Sequence, residues 1–566
     1  MPGVIVNQFR QIALWPVQLM PVRPGQQVQR HWELLDAAGG SGAWRTVNET
    51  GAGGDGAFSR RHYKEFVTFL PYVRRFLYGS AAGQEAATAH TDRSIHRYER
   101  EDVRRVRVVS REGSAAVELE IGRIELMFFL DADIALLVFE MHATDLPLEV
   151  VQDVLFRFAR AYPGFWDECG DGGNCPHLVE LCDAQGKVLA SSNYGDTAHY
   201  LGFIAQHRVA AIASHWEFLL QPLLLERPGA SAPLRYRQLE YYRMPVMAYL
   251  ACDDPHQLTR AQFVRLGLVT GPGSEDDLPY SAATLQDFER EHCNDSFWGR
   301  SGGHARADTR IIVTEGAMIF VGSHADRFFA GPETGLLSQF RGQYLWLFLI
   351  AHFHKAALLS MSDELAVAMN RLTVGVPDSV RAFKRTIRQM MEVFLRFTHR
   401  YWFHEVSNQV VARDVFARLR RQLGTAELYS EVRNEVVDMN SYLDSDSFRR
   451  QANTVLRLTV VTIFGLIGTV ATGVLGMNLL DETGSPLGRR LVIFLFTVAL
   501  TLGVTVYTIT RSKRLADFLD ALSDERVSWE DKWRSLRVAL LPLRGSASGS
   551  ASGSAGAPPS PRSNGR

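Results

Sequence analysis

Cysteine is scarce in this chain. Five in 566 residues are too few for a disulfide framework. An excess of one charge is missing as well. There are 61 Lys and Arg against 62 Asp and Glu, a formal net charge of −1. That balance excludes a protein whose main work is coating nucleic acid. Met1 to Arg23 lacks a secretory leader: the apolar run is short, broken by Pro16 and Pro21, and has no small-residue cleavage site. The large N-terminal part is therefore expected in a reducing cytosol. Mean hydropathy is −0.08, which excludes a membrane protein of many spans and leaves room for one or two. Gly-x-Ser-x-Gly, a Walker loop and a catalytic triad are all missing, so no enzyme activity is expected. The length implies about three to five folding units.

Two long apolar runs are present. Leu458–Leu480 is 23 residues without a charge, and Leu491–Thr510 is another 20. As helices each covers about 30 Å, enough for a bilayer core. Only Asp481–Arg490 separates them, so a tight hairpin is expected with both chain ends on one side. Arg449, Arg450 and Arg457 precede the first run, and Arg511, Lys513 and Arg514 follow the second. The positive-inside bias puts both ends in the cytoplasm and the short loop outside. The second run is rich in Leu, Val and Phe, as suits a lipid-facing helix. The first carries Gly465, Thr469 and Gly473 at four-residue spacing, a pattern that permits close helix packing. Leu458, Thr462, Leu466, Thr469, Gly473 and Gly476 share one helical face, which a symmetric oligomer could turn toward a pore. Spacing alone leaves ordinary anchor packing equally open.

The first run ends in Gly476-Met477-Asn478. With Arg449–Asn478 (RRQANTVLRLTVVTIFGLIGTVATGVLGMN), the short loop and the second run, this arrangement resembles the CorA-like magnesium transporter family. More loosely, the resemblance extends over residues 365–514. It implies an α+β cytosolic domain, a long stalk helix continuing into the first span, and a homopentameric, funnel-like assembly in a bacterial-type inner membrane. It implies that Gly476, Met477 and Asn478 form the selectivity filter, and that Leu458, Thr462, Leu466, Thr469 and Gly473 line the pore. The transported ion would be Mg²⁺, moved passively and with no cofactor required. Mg²⁺ parts reluctantly with its inner waters, so a ring of neutral amide and carbonyl oxygens suits the hydrated ion. Asp481 and Glu482 would raise the local cation concentration, or simply keep the loop in water. Leu475 stands where relatives often carry an aromatic residue, and the loop reads LLDETGSPLG. These departures leave Zn²⁺, Co²⁺ or Ni²⁺ open, and a ligand-gated signalling effector is the alternative from another class.

The expected organisation is a cytosolic α/β domain over 1–340, a helical region over 341–457, spans at 458–480 and 491–510 around an external loop at 481–490, a basic amphipathic tail at 511–543 and a disordered end at 544–566. Between Ser379 and Arg457 Gly424 is the only glycine, and there is no proline. One long helix with a stripe at Val432, Val436, Met439 and Leu443 is expected there. Glu427, Glu431, Glu435, Asp438, Asp444 and Asp446 read as a solvated face, or, as the family implies, as regulatory Mg²⁺ ligands between subunits. In the N-terminal part, 103–110, 115–130, 135–141, 188–192 and 311–321 read as strands and 149–162 as a helix. Leu345–Leu359 reads as a buried helix too short to span, with His352 and His354 as packing residues. Gly51-x-Gly53-x-x-Gly56 matches a dinucleotide pattern, but no strand precedes it. Cys169, Cys175, His177 and Cys182 could bind zinc, although Cys-x₂-Cys spacing is missing.

Overall fold

The computed structural model describes residues 4–22, 30–37, 43–47, 60–79, 94–476, 486–489, 491–503 and 506–507, apart from short gaps at 131, 169, 230–231, 241, 275–277, 300–307 and 374–376. The glycine motif at 51–56 and the tail at 511–566 lie outside the described residues. Two compact units divide the chain, Met1–Leu443 and Asp444–Arg566.

A 14-stranded mixed sheet organises the first unit. Its main path runs Cys293–Trp298, Asp308–Val313, Ala317–Ser323, Val246–Cys252, Ile5–Leu19, Ile134–Pro147, Val117–Phe129, Arg105–Val109, Leu178–Cys182 and Val188–Asn193. Along this path Val246–Cys252 and Ala317–Ser323 are parallel and the other neighbours antiparallel. The expected strands are present. The run at 311–321 resolves into two strands around a turn, and the helix expected at 149–162 is Leu148–Arg157.

Alternation explains why the central strands read as continuous apolar runs. Leu137 and Phe139 enter one core with Val246 and Leu250. Leu136 and Val138 enter the other with Met247 and Tyr249. A strand buried on both faces has no polar face to show. Helices Leu148–Arg157, Ser214–Leu220 and Arg260–Leu268 cover the first face. Pro71–Tyr78, Leu345–Asn370, Pro377–Arg400 and Val410–Gln422 cover the second. The result is a three-layer unit.

Ile5–Leu19 is among the strands that sequence patterning passed over, as are Ile95–Arg100, Leu178–Cys182, Val246–Cys252 and Cys293–Trp298; here Pro16 interrupts the pattern. The structure shows why proline is tolerated. Pro16 keeps its place opposite Leu136 on one side. On the other side, pairing with Val246–Cys252 ends at Ala13, and pairing with Arg235–Gln238 begins at Val17. The missing N–H falls where the second partner changes, so no ladder bond is lost.

The first unit extends to Leu443, past the expected boundary at 340. The helices after 340 bury their apolar faces on the sheet and fold as part of it. Leu345–Asn370 is buried along most of its length, as the sequence suggests. Among the described residues Leu336–Asn370 is the one helical run long and apolar enough to cross a membrane, and 83% of its most apolar window is buried inside the protein. His352 and His354 are fully buried, and burial pushes each imidazole down to about 3, so both are neutral. The expected single helix from Ser379 to Arg457 is instead three: Pro377–Arg400, Val410–Gln422 and Thr425–Gly476. The first break buries Tyr401, Trp402, Phe403 and Val406. The second is Gly424 at φ +60°, a conformation that suits glycine.

Buried charge also ties the second face to the sheet. Glu140 is completely buried, with Arg341 Nε at 2.6 Å, Arg10 at 3.2 Å and Arg123 at 3.3 Å. Glu125 beside it meets Arg97 at 3.0 Å and Arg123 at 3.5 Å. Burial opposes both charges, but the arginines prevail and hold both carboxyls below their ordinary range.

Candidate functional site

The Thr425–Gly476 helix is 52 residues long. Its opening turns are anchored in the first unit. Val432 and Val436 are buried, and Tyr429 stacks on Trp402 at 4.5 Å and on Phe394 at 5.3 Å. From Leu458 onward the sequence is uncharged, and the character changes. Within the second unit Leu466 is 64% exposed, and Val455 and Val470 are exposed too. The backbone is again helical over 491–503, where Leu491, Val492, Phe494, Leu495 and Phe496 are all exposed. Water does not favour so dense an apolar surface; lipid or further protein does.

The threonines fit an apolar surrounding. Thr459 donates its hydroxyl to Val455 O at 2.8 Å, Thr469 to Gly465 O at 2.9 Å and Thr472 to Gly468 O at 2.8 Å. Thr497 does the same to Ile493 O at 2.9 Å. Each hydroxyl proton is satisfied by its own helix, which hydrocarbon demands. The oxygen keeps acceptor capacity, so it can still receive a hydrogen bond from a hydrated cation. At Gly465, Gly468, Gly473 and Gly476 nothing lies within 4 Å of where a Cβ would stand. Another backbone could come close there.

Of the pore-lining set, Thr462, Leu466, Thr469 and Gly473 are exposed on this helix. Leu458 lies in the helix, but its side chain is outside the described residues. Gly476 is the last helical residue; Met477, Asn478, Asp481 and Glu482 lie outside the described residues. Among the acidic positions, Glu431 and Asp438 are exposed and Glu435 is half-buried. Burial, and then its neighbour Glu431, pushes the Glu435 carboxyl up. The side chains of Asp444 and Asp446 are outside the described residues. Among the described residues of this single chain, no group of three or more His, Cys, Asp or Glu could hold a metal ion.

Of the cysteine cluster, that finding covers Cys175, His177 and Cys182. Cys169 is outside the described residues. Cys175 is buried with its thiol toward Tyr162 O at 3.6 Å, and burial pushes it up to about 12. Cys182 sits in its strand opposite Arg105. His177 Nδ1 is 2.7 Å from Asp171 Oδ1. Cys175 and His177 thus each have a partner within the fold.

Sequence reasoning missed a pocket of about 880 Å³ between Asn294–Ser296, the 404–411 link and the Val410–Gln422 helix. Arg413, Arg420 and Arg421 share one helical face there. The Arg420 guanidinium lies 5.0 Å over the Trp402 ring, and its Nε is buried without a hydrogen-bond partner. Ala426 and Glu427, in the first turn of the long helix, complete the lining. The spacing of these arginines was legible in the sequence, but the strand and link that close the pocket were not.

No protein-family model matches this chain, and no curated protein does.

Proposed function

We propose that this chain is one subunit of a membrane channel that moves divalent cations passively, with Mg²⁺ as its ion. The carrying observation is the apolar stretch of the Thr425–Gly476 helix, which leads in sequence directly into Gly476-Met477-Asn478. Its exposed face of threonine oxygens and open glycines supports a pore lining shared among copies, and the resemblance to CorA-like transporters suggests five. In this reading Asn478 and Gly476 accept hydrogen bonds from the ion's water shell, Thr462 and Thr469 offer oxygens further in, and Leu458 and Leu466 form constrictions. Two charges crossing about 100 mV release about 4.6 kcal/mol, so the membrane potential suffices as the driving force.

Flux into proteoliposomes at an inside-negative potential tests this reading. Mg²⁺ should enter, and Asn478→Ala should abolish or strongly reduce entry. Zn²⁺ entry without Mg²⁺ would keep the channel and change its ion. No divalent flux from folded, oligomeric protein would overturn the reading. The arginine-lined pocket at the start of the long helix favours one second reading, an effector gated by a bound anionic ligand.

A further inference from the structure

The pocket beside the Val410–Gln422 helix holds positive charge that its own acids do not consume. Two of its carboxylates are already taken. Asp295 accepts two hydrogen bonds from Arg310, both at 2.8 Å. Asp414 accepts from Arg418 Nε at 2.9 Å and from Asn294 Nδ2 at 2.6 Å. Arg418 is spent in turn, since it also donates to Glu291 O at 2.8 Å. Arg413 and Arg421 are exposed and, among the described residues, enter no ion pair.

Arg420 is held in place by Trp402 beneath it and by His404 O, to which Nη1 donates at 3.1 Å. Its Nε stays buried and unpartnered. The remaining carboxylates of the lining, Glu405 and Glu427, are exposed, and Glu427 acts on Arg420 only through space. Beside the charges lie Val411 and Val410, the latter 71% exposed. An arginine face that merely met water would enclose nothing, whereas these residues surround about 880 Å³, within the range of small-molecule sites.

We infer that this pocket binds a small organic phosphate, with Arg413, Arg420 and Arg421 on the phosphate oxygens and Val410 and Val411 against its apolar part. Forked guanidiniums donate paired N–H bonds to phosphate. A doubly charged group also outcompetes the single charges of Glu405 and Glu427 for the same arginines. A soluble nucleotide and a lipid headgroup both carry that group. Ala426 and Glu427 open the Thr425–Gly476 helix, so a ligand here touches both helices that meet at Gly424. The site rests on the ligand-gated second reading only for what it controls. Binding itself belongs to the first unit and stands whether or not the apolar helices conduct.

The test uses the full chain in detergent with a chelator present, so that no divalent ion bridges ligand to protein and the pore plays no part. Pyrophosphate, ADP and phosphatidic acid in mixed micelles are titrated separately at pH 7.5, with binding read by calorimetry and by the thermal midpoint. Wild type should bind one pyrophosphate or one ADP per chain. Its midpoint should rise with ligand concentration, and its affinity should fall as salt is raised. Arg413→Gln and Arg421→Gln change exposed side chains, so both should fold as wild type does and weaken binding about tenfold or more. Glu427→Gln removes a competing carboxylate and should tighten binding several-fold, a gain that a damaged fold does not produce. Binding of phosphatidic acid alone, lost in the same arginine variants, would keep the site and assign its phosphate to a lipid. Failure of all three probes to bind wild type would overturn the inference, as would equal affinities in wild type and the arginine variants.

Discussion

At the scale of single residues, Glu140 tests how charge is used in the first unit. Three arginines converge on a carboxylate with no exposure. Removing one member of such a group leaves uncompensated buried charge, worth about 3–5 kcal/mol. Glu140→Gln should lower the stability of the first unit by that amount, read from the urea midpoint at pH 7. The pH dependence has a definite sign. Glu140 and Glu125 are held below their ordinary range when folded, so the unfolded chain binds protons first as pH falls. Their contribution is complete above the ordinary carboxyl range near 4.5 and is lost as pH drops through the depressed folded values. Wild type should therefore weaken steeply in acid, and Glu140→Gln should weaken less steeply. Equal acid profiles would remove this account. None of the partners was legible locally: Arg10, Arg123 and Arg341 come from three separate segments, and strand register brings Arg10 and Arg123 to Glu140 while the helical turn Phe340–Tyr344 brings Arg341.

Among the elements, Gly424 matters most. It joins Val410–Gln422 to Thr425–Gly476 with φ +60°, and nothing lies within 4 Å of a Cβ placed there. Space is therefore no obstacle; backbone conformation is. A branched side chain in the left-handed region costs roughly 1–2 kcal/mol. Gly424→Val should lower the urea midpoint by about that much, whereas Gly424→Asn should be nearly neutral, since asparagine tolerates this region. Equal effects of the two would mean that something other than φ sets the break. The sequence marked this position as the one glycine in a long helical stretch but did not say that it ends one helix and begins another. The break after Arg400 carries no glycine or proline at all. It exists because Tyr401, Trp402, Phe403 and Val406 gain more by burial against the second face than by continuing the helix.

For the whole molecule, the division at Leu443 makes a prediction of its own. Residues 1–443 contain both cores and the whole sheet. A 1–443 fragment should stay in solution without detergent and melt cooperatively at close to the full chain's temperature. A fragment cut at 340 should aggregate, because it exposes the face that Leu345–Asn370 covers. Limited proteolysis and differential scanning calorimetry distinguish the two. A stable 1–340 fragment would return the boundary to where composition placed it. Composition placed it early because Leu345–Leu359 looks like the start of a new apolar region, whereas it is the helix that closes the existing one.

The sequence by itself determined the local elements. Period-two alternation and β-branched runs gave six of the fourteen strands. Uncharged length gave the two apolar helices, and the Gly-Met-Asn tripeptide gave the proposed function its filter. These are signals that neighbours in the chain carry. Tertiary structure decided what depends on residues far apart: the central place of Ile5–Leu19 despite Pro16, the burial of Leu345–Asn370 inside the first unit, and the arginines around Glu140. The physical reason is the same in each case. Burial and charge pairing depend on distance in space, and over hundreds of residues the fold alone sets that distance.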